Sequence, residues 1–154
     1  MKSLVTLLLS LLLAGGAFAA DTHAKGAEPA QIAQGQKINL ADYLVPGKTT
    51  IFEFTSKYCP PCQAYNEPLA LLHQQRQDVA IVKVDINRPG ITGIDIQSPV
   101  AQEFDLRGIP QFKVDGPDGK LIAEDKVAIG PEGQLVSHDP KGRTIVNRMI
   151  EQLK

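Results

Sequence analysis

Two cysteines separated by two prolines, in the motif CPPC at residues 59–62, lie between a strand-forming segment and a helix-forming segment. The preceding residues 49–55 (TTIFEFT) are β-branched and aromatic, and they predict a central strand. Residues 60 to about 76 predict a helix, because large apolar side chains recur there at helical spacing. Cysteines three positions apart on a first helical turn can form a disulfide without backbone movement. We therefore expect the pair where a central strand ends and a helix begins.

The other elements follow from equally local signals. A nearly continuous apolar run predicts a strand buried on both faces. A turn rich in glycine and proline joins two shorter strands into an antiparallel hairpin, and a capping residue followed by proline opens each of two later helices. In chain order these are the strand 79–86, a helix from Ser98 to about Asp105, the strands 109–114 and 121–127, and a closing helix after Asp139. The sum is one α/β sandwich.

The N-terminus has the parts of an export signal: Lys2, an apolar run at 4–13 and the small-residue pattern AFA at 17–19. The run is too short to span a bilayer, which takes about 20 residues. We therefore interpret residues 1–19 as a signal peptide cleaved after Ala19, with an uncleaved N-terminal anchor as the alternative. Residues 20–36 contain few large apolar side chains and predict a flexible segment, so the folded domain is expected to span 37–154.

The amino-acid composition and net charge exclude some classes of function. The chain has 154 residues, of which 43% are hydrophobic and 21% are charged, as in an ordinary globular domain. Lys and Arg number 16 against 17 Asp and Glu, giving a net charge of -1. Nucleic-acid binders need a clustered excess of basic residues, and this sequence contains none. We therefore predict that the protein does not bind nucleic acid.

The spacing of the cysteines favours redox chemistry. As a structural cross-link, the short loop between them would stabilise the fold by only about 2 kcal/mol. The positive end of a helix instead favours a thiolate at Cys59, which would attack a partner disulfide, while Cys62 would resolve the mixed disulfide. Pro60 and Pro61 remove two N–H donors and stiffen the turn, so they are expected to tune the reduction potential.

Metal binding is the rival interpretation of any such pair. Zinc sites usually take four ligands, and the chain offers two Cys and three His. On a continuous helix, His73 would lie about 16 Å from Cys62, too far to share a metal with it. His23 falls in the predicted flexible segment and His138 in a predicted loop, both expected to be solvated. The sequence therefore predicts no metal site.

These residues resemble the thioredoxin superfamily, specifically its exported bacterial thiol:disulfide oxidoreductases of the TlpA-like kind. The matching pieces, over about Ile38 to Lys154, are IFEF at 51–54, the CPPC motif, IVKVD at 81–85, LRGIPQF at 106–112 and PDGK at 117–120. The resemblance implies a thioredoxin-like fold, with a central mixed β-sheet flanked by helices on both faces. It also implies a periplasmic location and no cofactor other than the redox-active disulfide.

The resemblance assigns roles to further residues. It implies that Pro110 is a cis-proline facing the cysteines, which would leave the Ile109 backbone free to pair with an extended partner segment. A trans proline ending a loop is the alternative. Tyr58 stands where the family commonly has tryptophan and is expected to pack beside the cysteines. The stretch 88–97 is longer than the corresponding connection in thioredoxin.

Glu53 stands where thioredoxins carry a buried acid. A carboxylate between two phenylalanines in a central strand is costly to bury charged, so its pKa should be raised. Such a group could accept and return the Cys62 proton, directly or through water. An exposed edge-strand glutamate without a role is the alternative.

The sequence-based hypothesis is an exported enzyme that exchanges disulfides with partner proteins. Cys59, Cys62 and Glu53 carry the chemistry, and the partner contacts Tyr58, Pro60, Pro61, Ile109 and Pro110. A monomeric reductase supplied by a membrane electron donor of the disulfide-relay kind is favoured, serving cytochrome c maturation or thiol rescue. The alternatives are an oxidase or isomerase on the same fold, and a non-catalytic module that binds a metal or a protein.

Overall fold

The computed structural model describes residues 25–154. The predicted signal peptide 1–19 and the first residues of the predicted flexible segment lie outside the described residues. The helices and strands are β1 (Ala30–Ile32), β2 (Thr49–Thr55), α1 (Pro60–Gln63), α2 (Asn66–Gln75), β3 (Val79–Asp85), α3 (Pro99–Glu103), β4 (Gln111–Asp115), β5 (Leu121–Ile129), β6 (Leu135–Pro140) and α4 (Lys141–Glu151), with a 3-10 helix at Leu40–Tyr43.

The two strands with the clearest sequence signals pair at the centre of the sheet. β2 and β3 run parallel over their full length, with Ile51 opposite Ile81. The six-stranded sheet has the order β1-β3-β2-β4-β5-β6. β1 is parallel to β3, whereas β4, β5 and β6 are antiparallel to their neighbours. The sheet is therefore mixed, as predicted.

Alternating side chains of β2 enter two separate cores. Phe52 and Phe54 point toward the face covered by α3 and the 3-10 helix, where they pack with Val100. Ile51 points toward the other face, where it packs with Leu69 of α2 and Val146 of α4. Helices therefore cover both faces of the sheet, which confirms the predicted fold class.

The prediction of one continuous helix over residues 60–76 is wrong. It is interrupted at residues 64–65 and forms α1 and α2 instead. Pro68 accounts for the break, because its ring nitrogen cannot donate to the carbonyl of Ala64 and its ring would collide with that carbonyl in a continuous helix. The cysteine pair therefore occupies a short helical turn of its own.

The predicted flexible segment 20–36 contains strand β1, so the folded part begins before the predicted boundary at residue 37. The side chains of β1 present little apolar surface. The strand is held in the sheet by backbone pairing with β3, in which Ala30 lies opposite Val82. Ile32 also packs against the core beneath the sheet. Backbone pairing of this kind leaves no mark on the apolar pattern of the sequence.

The C-terminal region differs from the prediction in a second strand pairing. β5 continues to Ile129, and β6 pairs with it along the edge of the sheet. His138, predicted to lie in a loop, is an exposed residue of β6. The predicted cap at Asp139 is also wrong, because α4 begins at Lys141 after Pro140 without a side-chain cap.

Within residues 25–154, no helix combines the length and apolar character needed to cross a membrane.

Candidate redox site

The cysteine pair forms a disulfide on the short turn that follows β2. The Cα atoms of Cys59 and Cys62 are 5.2 Å apart. Cys59 caps α1, and its Sγ accepts a hydrogen bond from the Cys62 backbone N–H at 3.2 Å. Both cysteines are buried, whereas Pro60 and Pro61 between them are exposed. The prolines therefore form the outer surface of the turn and the sulfur atoms its inner side.

The loop before β4 faces this turn, as the resemblance implied. The peptide bond between Ile109 and Pro110 is cis. Cys59 Sγ lies 3.6 Å from the carbonyl oxygen of Ile109. Pro110 is buried and Ile109 is half-buried. The structure thus brings together Cys59 and the loop at 109–110, although 50 residues separate them in sequence.

Tyr58 is half-buried immediately before the first cysteine. The Lys57 ammonium lies over its ring, 5.0 Å from the centroid, in cation–π geometry. The exposed Lys57 therefore adds a positive charge beside the turn, next to the half-buried Tyr58 ring.

Glu53 is fully buried in the middle of β2. Neither of its carboxylate oxygens has a hydrogen-bond partner among residues 25–154. The Lys83 ammonium lies 3.6 Å from Glu53 Oε2. Burial raises the pKa of Glu53 to about 7, and Lys83 offsets part of that rise. A carboxyl group with this pKa can both take up and release a proton near neutral pH.

Lys83 is a site residue that the sequence reasoning missed. It lies directly opposite Glu53 in the parallel pairing of β2 and β3. Its ammonium also donates to the side-chain oxygen of Asn66, at the start of α2. The signal was present, because β2 and β3 each have a charged residue at their fifth position, preceded by apolar residues.

Arg143 is a second missed residue. Its guanidinium donates a hydrogen bond to the carbonyl oxygen of Pro110, and its backbone N–H donates to Asp125 Oδ1 at 2.8 Å. The other oxygen of Asp125 accepts from the backbone N–H of Phe112 at 3.0 Å. The first turn of α4 can approach β4 this closely because a Cβ at Gly142 would collide with the Phe112 carbonyl. Arg143 therefore ties the loop at Pro110 to the body of the domain.

We expect Arg143→Ala to lower kcat/KM for disulfide exchange by roughly tenfold, because a loosely held loop at Pro110 misplaces the partner at the sulfur. Steady-state reduction of insulin measures the effect. Arg148→Ala, an exposed arginine on the same helix, is the matched control and should retain full activity. Equal rates for the two variants would contradict a role for Arg143 at the loop.

The described residues 25–154 contain no group of three or more His, Cys, Asp and Glu side chains placed to hold a metal ion. His73 is buried in α2 and is used in the fold, because its Nδ1 accepts from the Ile81 backbone N–H at 3.0 Å and its Nε2 lies 2.9 Å from the Gly26 carbonyl oxygen. It therefore links α2, β3 and the N-terminal segment.

Comparison with known proteins decides the family. The model of the thioredoxin family, described as Thioredoxin, matches residues 31–138. The chain belongs to the thioredoxin family. A thioredoxin H-type of Brassica oleracea is 34% identical over 94 residues, covering 59% of this chain and 68% of that protein. A thioredoxin of Mycoplasmoides gallisepticum is 25% identical over 99 residues, covering 64% and 89%.

Solved structures agree on the fold. A mutant thioredoxin from Halobacterium salinarum NRC-1 superposes with a TM-score of 0.50 at 19% identity, covering 85% of this chain and 96% of that one. As a thioredoxin-family member, the chain is a thiol:disulfide oxidoreductase, and its Cys59–Cys62 pair forms the disulfide that this activity requires. Proteins of the family act on protein thiols and disulfides. Thioredoxins act without a cofactor. The narrower TlpA-like assignment stays a prediction, since the relatives named here are plant and mycoplasma thioredoxins.

Proposed function

We propose that this member of the thioredoxin family is an exported, TlpA-like reductase of protein disulfides. The observation that carries the proposal is the placement of Cys59: it caps α1 and faces the backbone of Ile109, while a buried acid lies in the strand that leads to it. An attacking sulfur and a backbone acceptor for a partner chain thereby lie side by side, and the strand that leads to them carries a group able to exchange a proton.

The first step forms a mixed disulfide. The Cys59 thiolate attacks one sulfur of a partner disulfide; the new S–S bond joins Cys59 to the partner, and the second partner sulfur leaves as a thiolate that takes up a proton. The N–H of Cys62, which points at Cys59 Sγ, stabilises the thiolate before the attack. The partner segment lies along the Ile109 backbone and over the exposed prolines 60 and 61.

The second step releases the partner. Cys62 loses its proton to the Glu53 carboxylate, directly or through water, and its sulfur then attacks Cys59. The Cys59–Cys62 disulfide forms, and the partner leaves with its second sulfur reduced. Two electrons pass from the cysteine pair to the partner. The cycle restarts when a dithiol protein of the membrane disulfide-relay kind reduces the pair again.

The proposed location rests on the sequence of residues 1–19, which has the charged, apolar and small-residue parts of an export signal. Export places the enzyme in the bacterial periplasm. A reductase there works against an oxidising compartment, which is why it depends on a dedicated electron donor. Maturation of cytochrome c and rescue of oxidised thiols are tasks of this chemistry.

The reduction potential of the pair tests the direction of electron flow. Equilibration of protein lacking residues 1–19 with a dithiothreitol series should give a value near −270 mV, as in thioredoxin. Such a value makes the pair a donor of electrons to protein disulfides whose reduction potential is higher. A value near −120 mV would identify a disulfide-forming oxidase and overturn the proposed direction.

A further inference from the structure

The long connection at 88–97 is organised by the side chain of Asn87, which is buried at the end of β3. Its Nδ2 donates to the Gly93 carbonyl at 2.6 Å, and its Oδ1 lies 3.5 Å from the Asp95 backbone N–H. Arg88 closes the loop through a two-point contact, in which Nε and Nη2 lie 2.7 and 2.9 Å from the carboxylate oxygens of the buried Asp95. The loop is thus held by side chains at both of its ends.

The same oxygen of Asn87 also accepts a hydrogen bond from the hydroxyl of Ser56. The Ser56 Oγ to Asn87 Oδ1 distance is 2.6 Å, and both side chains are buried. The contact is possible because β2 and β3 are parallel neighbours, so their C-terminal ends meet at one edge of the sheet. One asparagine therefore joins the loop at 88–97 to the residue that follows β2.

Ser56 in turn holds the redox-active turn. Its Oγ accepts from the backbone N–H of Tyr58 at 3.1 Å. Its carbonyl oxygen accepts from the backbone N–H of Cys59 at 3.1 Å and from the side chain of Gln63 at 3.0 Å. The hydroxyl and the carbonyl of one residue thus bind both sides of the segment that carries Cys59.

We propose that Asn87 is a positioning residue for the redox-active turn and acts on Cys59 through Ser56. The inference rests on the proposed exchange chemistry only in that Cys59 is its nucleophile. The Ser56 hydroxyl is oriented by Asn87, so that its lone pairs face the Tyr58 N–H and the backbone enters the turn in one conformation.

The consequence for the chemistry follows from the position of the sulfur. Cys59 Sγ must stay close to the Cys62 N–H, now at 3.2 Å, for the thiolate to be stabilised. Loss of the Ser56–Asn87 hydrogen bond leaves the Ser56 hydroxyl free to rotate, which weakens its contact with the Tyr58 N–H and lets the Cys59 sulfur move away from the Cys62 N–H. A larger share of Cys59 is then protonated at a given pH, and the attack on a partner slows.

The test is the pH dependence of Cys59 alkylation by iodoacetamide in reduced protein. Ser56→Ala removes the hydrogen bond between residues 56 and 87 but leaves Asn87 to hold the loop at 88–97. Asn87→Ala removes that hydrogen bond and also the side-chain contacts that hold the loop. We expect each variant to raise the pH midpoint of alkylation by about half a pH unit, which is roughly a threefold lower rate at a fixed pH below the midpoint. The double variant should shift no further than Ser56→Ala alone, since Asn87 acts on the turn through the Ser56 hydroxyl.

Asn39→Ala is the matched control. Asn39 caps the 3-10 helix by accepting from the Ala41 N–H and also donates to Asp42, so its loss removes side-chain hydrogen bonds without touching the redox turn. Its alkylation midpoint should equal that of the wild type. An unchanged midpoint in Ser56→Ala would overturn the inference, and this holds even where Asn87→Ala does not fold. Absence of disulfide exchange in the wild type would instead overturn the proposed function, and the midpoints would still be readable.

Discussion

Cys59→Ser is expected to lose insulin-reducing activity by at least about a thousandfold, because the hydroxyl that replaces the sulfur is not a nucleophile at neutral pH. Cys62→Ser keeps the attacking sulfur but loses the resolving one. The mixed disulfide should therefore form and persist in that variant. Turbidity of reduced insulin measures the first result, and non-reducing electrophoresis detects the covalent complex in the second.

The asymmetry between the two variants is the informative result. Wild-type protein with its pair reduced is the control for folding without the cross-link, since each variant also lacks the disulfide. If Cys59→Ser trapped partners and Cys62→Ser did not, the roles of the two sulfurs would be exchanged. Full activity in Cys59→Ser would end the mechanism, because Cys59 is the sulfur that faces the Ile109 loop.

Glu53→Gln is expected to stabilise the oxidised protein strongly at alkaline pH. The pKa of Glu53 is raised from 4.5 to about 7 by burial. Between these two values the folded state binds more protons than the unfolded state, so this carboxyl makes the free energy of unfolding fall as pH rises from about 4.5 to about 7. Above pH 7 the cost of the buried charge is constant, at about 3 kcal/mol from the size of the shift.

Urea unfolding at a series of pH values tests this expectation. The stability difference between Glu53→Gln and the wild type should be near zero below pH 4.5 and grow to about 3 kcal/mol at pH 8. Glu67→Gln, at an exposed position of α2, is the control and should show no such growth. A difference independent of pH would show that Glu53 ionises as an ordinary carboxyl group.

The same substitution is expected to damage the second chemical step. Glutamine cannot accept the Cys62 proton, so release of the partner should slow by about 100-fold, a typical loss for a missing general base. The mixed disulfide should accumulate transiently in rapid-quench experiments. Formation of the mixed disulfide should keep its wild-type rate, since Glu53 has no part in the attack by Cys59. Glu53→Gln thus combines a more stable fold with a slower enzyme.

The features that the sequence predicted are those with a strong local signal. The β-branched run at 49–55 and the apolar run at 79–86 form the two central strands, because burial on both faces requires continuous apolar residues. The Ser98 cap and the turn between β4 and β5 depend on side chains a few positions apart, and they also lie where they were expected. The closeness of the cysteines and the Pro110 loop came from the family resemblance.

The features that the sequence did not predict depend on partners far away in the chain. β1 is held by backbone pairing with β3, and Arg143 reaches a loop 33 residues earlier. Asn87 was hidden for the same reason, because it becomes significant only when β2 and β3 lie side by side. The break before α2 was readable in principle from Pro68, but the helical spacing of the apolar residues outweighed it.

Lys25, at the start of the described residues, is attached to one end of the sheet. Lys25 donates to the backbone carbonyls of His73 and Arg76 at the end of α2, next to the start of β3. The cysteines follow the opposite end of β2, and a seven-residue strand separates the two ends by roughly 20 Å. Lys25 therefore lies at the end of the sheet opposite the redox-active turn. Immobilised by that end, on a bead or on a bilayer, the enzyme would present its redox-active turn outward to its partners.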